Sequence, residues 1–251
     1  MTKRLEAALC EIEGDIVCDI GTDHGKLPAA AVLRGIVKKA LAVDISPKSL
    51  DKAVKLAAEY SLSDRIETRL GDGFDAVAFD DADTFVIAGM GGHSIIQMLK
   101  GKEPLAKNKF VFVPHKNSRA LREFLIYGGY IILKDRAIED CGKFYDIITA
   151  CFCPSENALR RYTDIADGKI TAAFGTQEPS ELFLEYGRDN FVFENTDFYI
   201  KLTKSQNEFD RFLKKVYNKD CEVKLKSVNK AAEIYQTLFC CSGGLTPPNA
   251  D

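Results

Sequence analysis

The chain has 251 residues, 46% of them hydrophobic and 28% charged, with a formal net charge of −3. That balance excludes a uniformly basic nucleic-acid binder and suits one large globular domain, or a main domain with an appendage. No apolar run approaches the roughly 20 residues of a membrane span, and the acids of MTKRLEAALCEIEGD come too early for a secretory signal.

Eight scattered cysteines, with no C-x-x-C and no histidine at finger spacing, point to a reducing compartment, the cytoplasm, with no zinc or other metal site expected. Lys3–Glu11 reads as a short helix with Arg4 on its polar side. The apolar run Ile16–Ile20 carries one acid, Asp19, and ends in Gly21. The polar turn Thr22-Asp23-His24-Gly25 then leads to Pro28 and the alanine-rich Ala29–Leu33. This predicts a buried strand, a tight turn and a helix with proline near its first turn. Such a corner aims backbone N–H groups and a positive helix end at whatever lies above it. In an open α/β sheet it is where a nucleotide-like ligand binds. Neither G-x-G-x-x-G nor a P-loop is present. A D-x-G turn with extra acids suits a cationic, phosphate-free ligand, and S-adenosylmethionine (SAM) fits that chemistry. An ordinary strand–turn–helix corner has the same outline.

Ala40–Asp44 is a second predicted strand ending in an acid. Asp44 follows the glycine turn by roughly 20–25 residues, the spacing at which a carboxylate grips ribose hydroxyls. Ser46-Pro47 is the expected N-cap and first residue of a helix over Lys48–Tyr60. Arg65–Leu70 alternates as a third strand and runs into Gly71-Asp72-Gly73-Phe74. Thr84–Ala88 is a fourth, ending in Gly89-Met90-Gly91-Gly92, where side chains are stripped away as for a close approach to backbone. His93 and Ser94 open a helix to Leu99. Phe110–Val113, the loop Pro114-His115-Lys116-Asn117 and a helix over Ser118–Tyr127 follow. Tyr130–Lys134 and Phe144–Phe152 are expected as an antiparallel pair. Seven strands with helices between the first five predict a Rossmann-like, seven-stranded class I SAM-dependent methyltransferase domain, not a six-stranded dinucleotide domain. His24, His93 and His115 each follow directly on a predicted parallel strand, which places all three at the carboxyl edge of the sheet.

Beyond Cys153 the character changes. Ser155–Gln177 reads as a polar connector, and Glu181–Phe193 contains the turn Gly187–Asn190. From Asp197 to about Phe239 there is no proline or glycine. Phe198, Leu202, Phe209, Phe212, Leu213 and Val216 form one helical stripe; Val223, Leu225, Val228, Ala232, Tyr235 and Leu238 form another. Two helices joined near Asn218–Asp220 would make an antiparallel hairpin. Residues 201–230 hold nine Lys/Arg against four Asp/Glu, which is either a phosphate-facing surface or the solvated face of helices. The expected organisation is a SAM-binding catalytic domain over 1–154, a helical domain over 155–241 and a disordered tail over 242–251.

RLEAAL (4–9), DIGTDHGKLP (19–28), GDGF (71–74), IAGMGG (87–92), P…LREFL (114–125) and GKFYDIITA (142–150) occur in that order. Together they resemble the bacterial tRNA adenine-N1 methyltransferases that modify position 22 in the D-arm. The resemblance implies a Rossmann-like catalytic domain with a C-terminal coiled-coil-like helical domain. It further implies SAM as cofactor, S-adenosylhomocysteine as its product, tRNA as partner, no membrane, and a monomer. By resemblance, Asp19 and Gly21 lie near the methionine part of SAM, Asp44 with Ile45 at the ribose, and Asp72-Gly73 at the adenine. Ala88, Gly89, Met90 and Gly91 floor the transfer site. Arg4, Lys26, His115, Lys116, Arg119 and Tyr145 line the RNA approach, and Lys214 and Lys215 touch phosphates. Three positions depart from the family pattern: Lys26 for an aromatic residue, Val113 for a glutamine, and Asp44 for a glutamate.

The fourth-strand motif has neither the cysteine nucleophile of cytosine-C5 enzymes nor the [ND]-P-P-[YF] of exocyclic-amine enzymes. Adenine N1 carries a free lone pair once unpaired, so it needs alignment rather than a strong base. Its base must be exposed or flipped to reach the site. A carboxylate beside the cationic product ring would stabilise the transition state. Asp23 is the candidate, with His24 its neighbour. Two other readings are a SAM methyltransferase acting on a small molecule or another RNA, and a non-catalytic RNA-binding protein with a Rossmann-like core.

Overall fold

The computed structural model describes residues 1–251 except 155–156, 165–167, 175–178, 217 and 241–251. The segment expected as a tail lies outside the described residues. Seven strands, β1 (Ile16–Ile20), β2 (Lys39–Asp44), β3 (Ile66–Leu70), β4 (Thr84–Ala88), β5 (Lys109–Val113), β6 (Tyr130–Asp140) and β7 (Lys143–Phe152), form one sheet. Its order is β3-β2-β1-β4-β5-β7-β6. The pairings from β3 to β5 are parallel, and β7 runs antiparallel to both its neighbours. The last strand pair is longer than expected. β6 continues through a register shift beside Leu133, then turns at Cys141 (φ 54°) and Gly142 (φ 80°). Two left-handed residues match a type I′ hairpin turn, and cysteine in place of the usual asparagine hides it in the sequence.

Period-two alternation sorts the sheet into two faces. Cys18, Ile20, Phe85, Ile87, Phe110 and Phe112 point to a face rich in large side chains. Helices α4 (Gly92–Leu99) and α5 (Ser118–Tyr127) cover it. Val17, Ala40, Ala42, Val86, Val111 and Val113 point to the other, whose small side chains admit α1 (Lys3–Leu9), α2 (Lys26–Leu33) and α3 (Pro47–Glu59). Asp19, Asp44 and Ala88 share the parity of this second set. The same alternation therefore aims both strand-end acids at the α1–α2 side. Ser46 caps α3 as expected, accepting the Ser49 N–H, with Pro47 as its first residue.

The polar connector expected over 155–177 is partly helical, within the span expected as a helical domain. It contains α6 (Ala158–Thr163) and α7 (Gly168–Phe174), followed by α8 (Pro179–Tyr186) and α9 (Asp189–Val192). Tyr162, Ile170 and Phe174 are buried anchors, too few to reveal a period. The long hairpin is α10 (Thr196–Leu213) and α11 (Lys219–Tyr235), with Asn218 capping the second helix by accepting the Cys221 N–H. Only its sheet-proximal half is buried. Phe198, Leu202, Val228 and Tyr235 are inside, whereas Phe212, Val216 and Val223 are exposed. The two expected stripes thus overstate the core.

These helices dock on the free edge of β6. Its outward N–H groups at Asp135, Ala137 and Glu139 are taken by Asp189 Oδ2 (2.8 Å), Asn190 Oδ1 (2.8 Å) and Asp197 Oδ2 (3.0 Å). Side-chain acceptors at every second residue replace a neighbouring strand and close an edge otherwise open to aggregation. Behind it Arg122, fully buried, donates to both oxygens of Asp135 (2.8 and 2.9 Å) and lies 3.4 Å from Asp146.

Candidate active site

The order in which the chain adds strands to the sheet reverses between β1 and β4, the position at which open α/β sheets bind ligands above the strand ends. A cleft of about 800 Å³ lies there, within the size range of small-molecule sites. Its walls are Asp19 and Gly21 from the end of β1, Asp44 and Ile45 from β2, and Ala88, Gly89 and Met90 from β4. Asp23, Lys26 and Leu27 close one side, and Met1, Thr2, Arg4 and Leu5 of the α1 end close the other. Backbone bonds hold the loops in place. Gly21 and Thr22 both donate to the Val43 carbonyl (2.8 and 3.0 Å), and His115 N–H donates to the Met90 carbonyl (3.0 Å). Gly21 has φ 77°, a left-handed conformation that strains any residue with a side chain, so this position favours glycine; a Cβ there would also push the Met90 methyl aside.

Asp19 is buried at 6% exposure. Burial raises its pKa to about 6, with the Thr22 hydroxyl opposing the rise and Asp44 and Asp23 adding to it. An unfolded aspartate titrates near 3.9. Between about pH 4 and 6 the folded chain therefore binds more protons than the unfolded chain, and stability falls as pH rises through that window. The ionised carboxylate above it is a standing cost of about 3 kcal/mol at most, which a cationic ligand would offset. Asp19→Asn should accordingly raise the melting temperature near pH 7.5 and much less near pH 5. Equal shifts at both pH values would show that Asp19 carries no such burden.

Not every expected residue faces the cleft. Asp72 is exposed at the same sheet edge, one strand beyond Asp44, while Gly73 packs under Met98 and Gly91 under Lys116; none of the three lines the walls. Asp44 is oriented by accepting the Ser46 N–H at 2.7 Å. Asp23 is 78% exposed at the mouth, its Oδ1 3.1 Å from His24 Nε2. His115 Nδ1 donates to the Gly89 carbonyl (3.1 Å), and exposed His93 sits in the first turn of α4, away from the cleft. The Arg4 guanidinium lies over the Tyr145 ring (4.9 Å) and 3.9 Å from Asp140. Arg119, expected on the RNA approach, is instead tied to Glu123 (3.0 Å), Glu181 (2.8 Å) and Glu185 (3.4 Å). Three carboxylates neutralise it, and its work is to join α5 to α8. Lys214 and Lys215 are exposed at the far end of α10. Thr2, Leu5 and Leu27 also line the cleft, unforeseen by the sequence reading; the amphipathic run ahead of the first strand was a signal for Thr2 and Leu5 alone.

A larger cavity of about 990 Å³ separates α1 from β6 and the start of α10. Its cations are matched inside it, Lys3 by Asp197 (2.7 Å), Lys134 and Arg136 by Glu11 (2.9 and 3.6 Å) and Arg188 by Asp189 (2.9 Å). Among the described residues there is no cluster of His, Cys, Asp or Glu able to hold a metal, and no helix long and apolar enough to cross a membrane.

The strand order, the antiparallel β7 and the cleft at the β1/β4 switch define a Rossmann-like methyltransferase fold. Residues 1–148 match the family described as a methyltransferase domain, and the chain belongs to that family. Its relatives there are more particular. The tRNA (adenine(22)-N(1))-methyltransferase of Bacillus subtilis is 29% identical over 188 residues, covering 74% of this chain and 79% of that protein. A Streptococcus pneumoniae protein described as a candidate tRNA (m1A22) methyltransferase is 26% identical, with a TM-score of 0.75 over 95% of this chain and 99% of its own. Its complex with S-adenosyl-L-methionine superposes at a TM-score of 0.69, covering 94% of this chain and 99% of its own.

Proposed function

We propose that this chain is a SAM-dependent tRNA methyltransferase that methylates N1 of adenine 22, working in the cytoplasm as a monomer. The observation that carries the reading is the cleft itself: two acids, Asp19 and Asp44, aimed from adjacent strands into a space with no phosphate loop. When bound, SAM supplies an electrophilic methyl group on a sulfonium. The residues fit it. Asp19 is a buried carboxylate raised toward neutrality and receptive to an ammonium. Asp44 is held by Ser46 for hydroxyl donors, and Ile45, 69% exposed, offers an apolar surface. Ala88, Gly89 and Met90 leave the backbone of the β4 turn open to the transfer point.

On the acceptor side the chain's task is alignment and charge. Asp23 stands at the mouth where an adenine N6 amine would donate to it, and its negative charge opposes the positive charge that grows on the ring as N1 attacks. Arg4 stacked on Tyr145, with Lys26 and Lys116, borders the approach. Residues 155–241 form the part that carries the basic hairpin to the RNA.

Incubation with tritiated SAM and unmodified tRNA, followed by mass-spectrometric mapping, tests this. One methyl on adenine 22 is expected, and none on a transcript with guanine at that position. Methyl incorporation elsewhere would reassign the target. Transfer to small molecules alone would favour a metabolic methyltransferase, and absent SAM binding a non-catalytic RNA-binding protein.

A further inference from the structure

We propose that the outer face of α3, carrying Lys48, Lys52 and Lys55 and flanked by Lys26, is a phosphate track that leads an RNA strand to the cleft. The proposal rests on the tRNA reading above and adds a surface to it. Positions 48, 52 and 55 fall on one side of the helix, all exposed, while Leu50, Ala53 and Ala57 face the core. At 1.5 Å per residue the row spans roughly 10 Å along the helix, the reach of a short run of backbone phosphates. Asp51 lies beside the row and Glu59 at its far end, so the end nearest the cleft is cationic.

Five other surface cations are engaged. Arg34, Lys38, Arg69, Lys102 and Lys109 each lie 2.5–2.9 Å from a carboxylate. Lys26, Lys48, Lys52 and Lys55 have no carboxylate partner among the described residues, so no neighbouring carboxylate competes with a ligand for them. The row also reaches the reaction site physically. α3 begins immediately after Asp44 and Ile45, which wall the cleft. Lys52 Nζ lies 2.7 Å from His24 Nε2, the same nitrogen that stands 3.1 Å from Asp23 Oδ1. A ring nitrogen with one lone pair or one proton satisfies only one of these at a time. A phosphate that draws Lys52 away therefore leaves His24 to Asp23.

Two variants test the track: Lys48→Ala/Lys52→Ala/Lys55→Ala, and Lys48→Ala/Lys55→Ala, which keeps the His24 contact. Alanine preserves the helix, and none of the three side chains is buried. Affinity for unmodified tRNA is measured against salt concentration, with steady-state methylation and SAM calorimetry alongside. The slope of log affinity against log salt should fall by about 2–3 in the triple variant and by about 1–2 in the double. KM for tRNA should rise at least severalfold in the double variant with kcat little changed, and SAM affinity should hold in both. Wild-type slope and affinity in both variants would overturn the track, as would a loss confined to kcat in the triple or to SAM binding. Wild-type protein that methylates tRNA while the variants bind it equally well sinks only the track. Wild-type protein that does not bind tRNA sinks the track together with the functional reading.

Discussion

Asp23→Ala should cut methyl transfer by orders of magnitude while leaving the fold and the donor site intact. Its side chain is 78% exposed, so removal strips no core and strands no buried partner. Donor affinity should stay within a few-fold, because Asp19 and Asp44, the acids deepest in the cleft, are untouched. The rate should fall by about 10²–10³, the effect of deleting one preorganised group that acts where charge develops. If the carboxylate acts only in the transition state, kcat and kcat/KM fall together. Asp23→Asn separates its two roles: the amide can still accept from an adenine amine but no longer opposes the ring's positive charge, so an intermediate rate is expected. Single-turnover methylation with tritiated SAM reads the rate, and calorimetry reads the donor. Unchanged turnover in Asp23→Ala would remove this residue from the mechanism.

The largest stability effect should come from Arg122→Met. The guanidinium is fully buried between Asp135 and Asp146 and also donates to the carbonyls of Leu184 and Glu185 (3.1 and 3.2 Å). Burial raises the Asp135 pKa despite Arg122. For Asp146 burial acts the same way, but Lys201 and Arg122 outweigh it and hold the pKa down to about 2. Removing the arginine leaves two buried carboxylates, Asp146 still beside Lys201 and Asp135 still accepting from the Tyr162 hydroxyl. Breaking such a group costs about 3–5 kcal/mol, or roughly 10 °C in melting temperature for a chain of this size. The sign with pH is fixed as well. The Asp146 contribution is present above an ordinary carboxylate pKa near 4 and is lost as pH falls toward 2. The variant should therefore lose less to acid than the wild type. Chemical denaturation at several pH values checks this; a loss under 1 kcal/mol would mean that the site relaxes or hydrates.

Much of the catalytic half was legible because its signals are local. The apolar runs of β1, β4 and β5 are fully buried strands, and Ser46-Pro47 caps a helix by its own side chain and fixed φ. Asp19, Asp44, Gly21 and the β4 turn fell into one cleft because parallel strands bring all their carboxyl ends to one edge. Residues in that half failed where a contact lay far along the chain. Arg119 reads as a free surface cation until Glu181 and Glu185 are folded against it. Gly73 and Gly91 read as ligand contacts, yet each makes room for a protein side chain. Cys141-Gly142 hid a hairpin turn because its left-handed conformation is imposed by the paired strands.

By itself the sequence determined the seven strands, the parity that turns both strand-end acids to one side, and the motifs of a methyl-transfer cleft. Hydrophobic period and turn chemistry act between neighbours, and neighbours are what a sequence displays. Only the tertiary structure decided that the turn Gly187–Asn190 is an edge seal for β6, that half of the long hairpin stands clear of the core, and that Lys52 reaches His24. Each of these depends on which distant groups meet, and burial and pairing are settled there rather than along the chain.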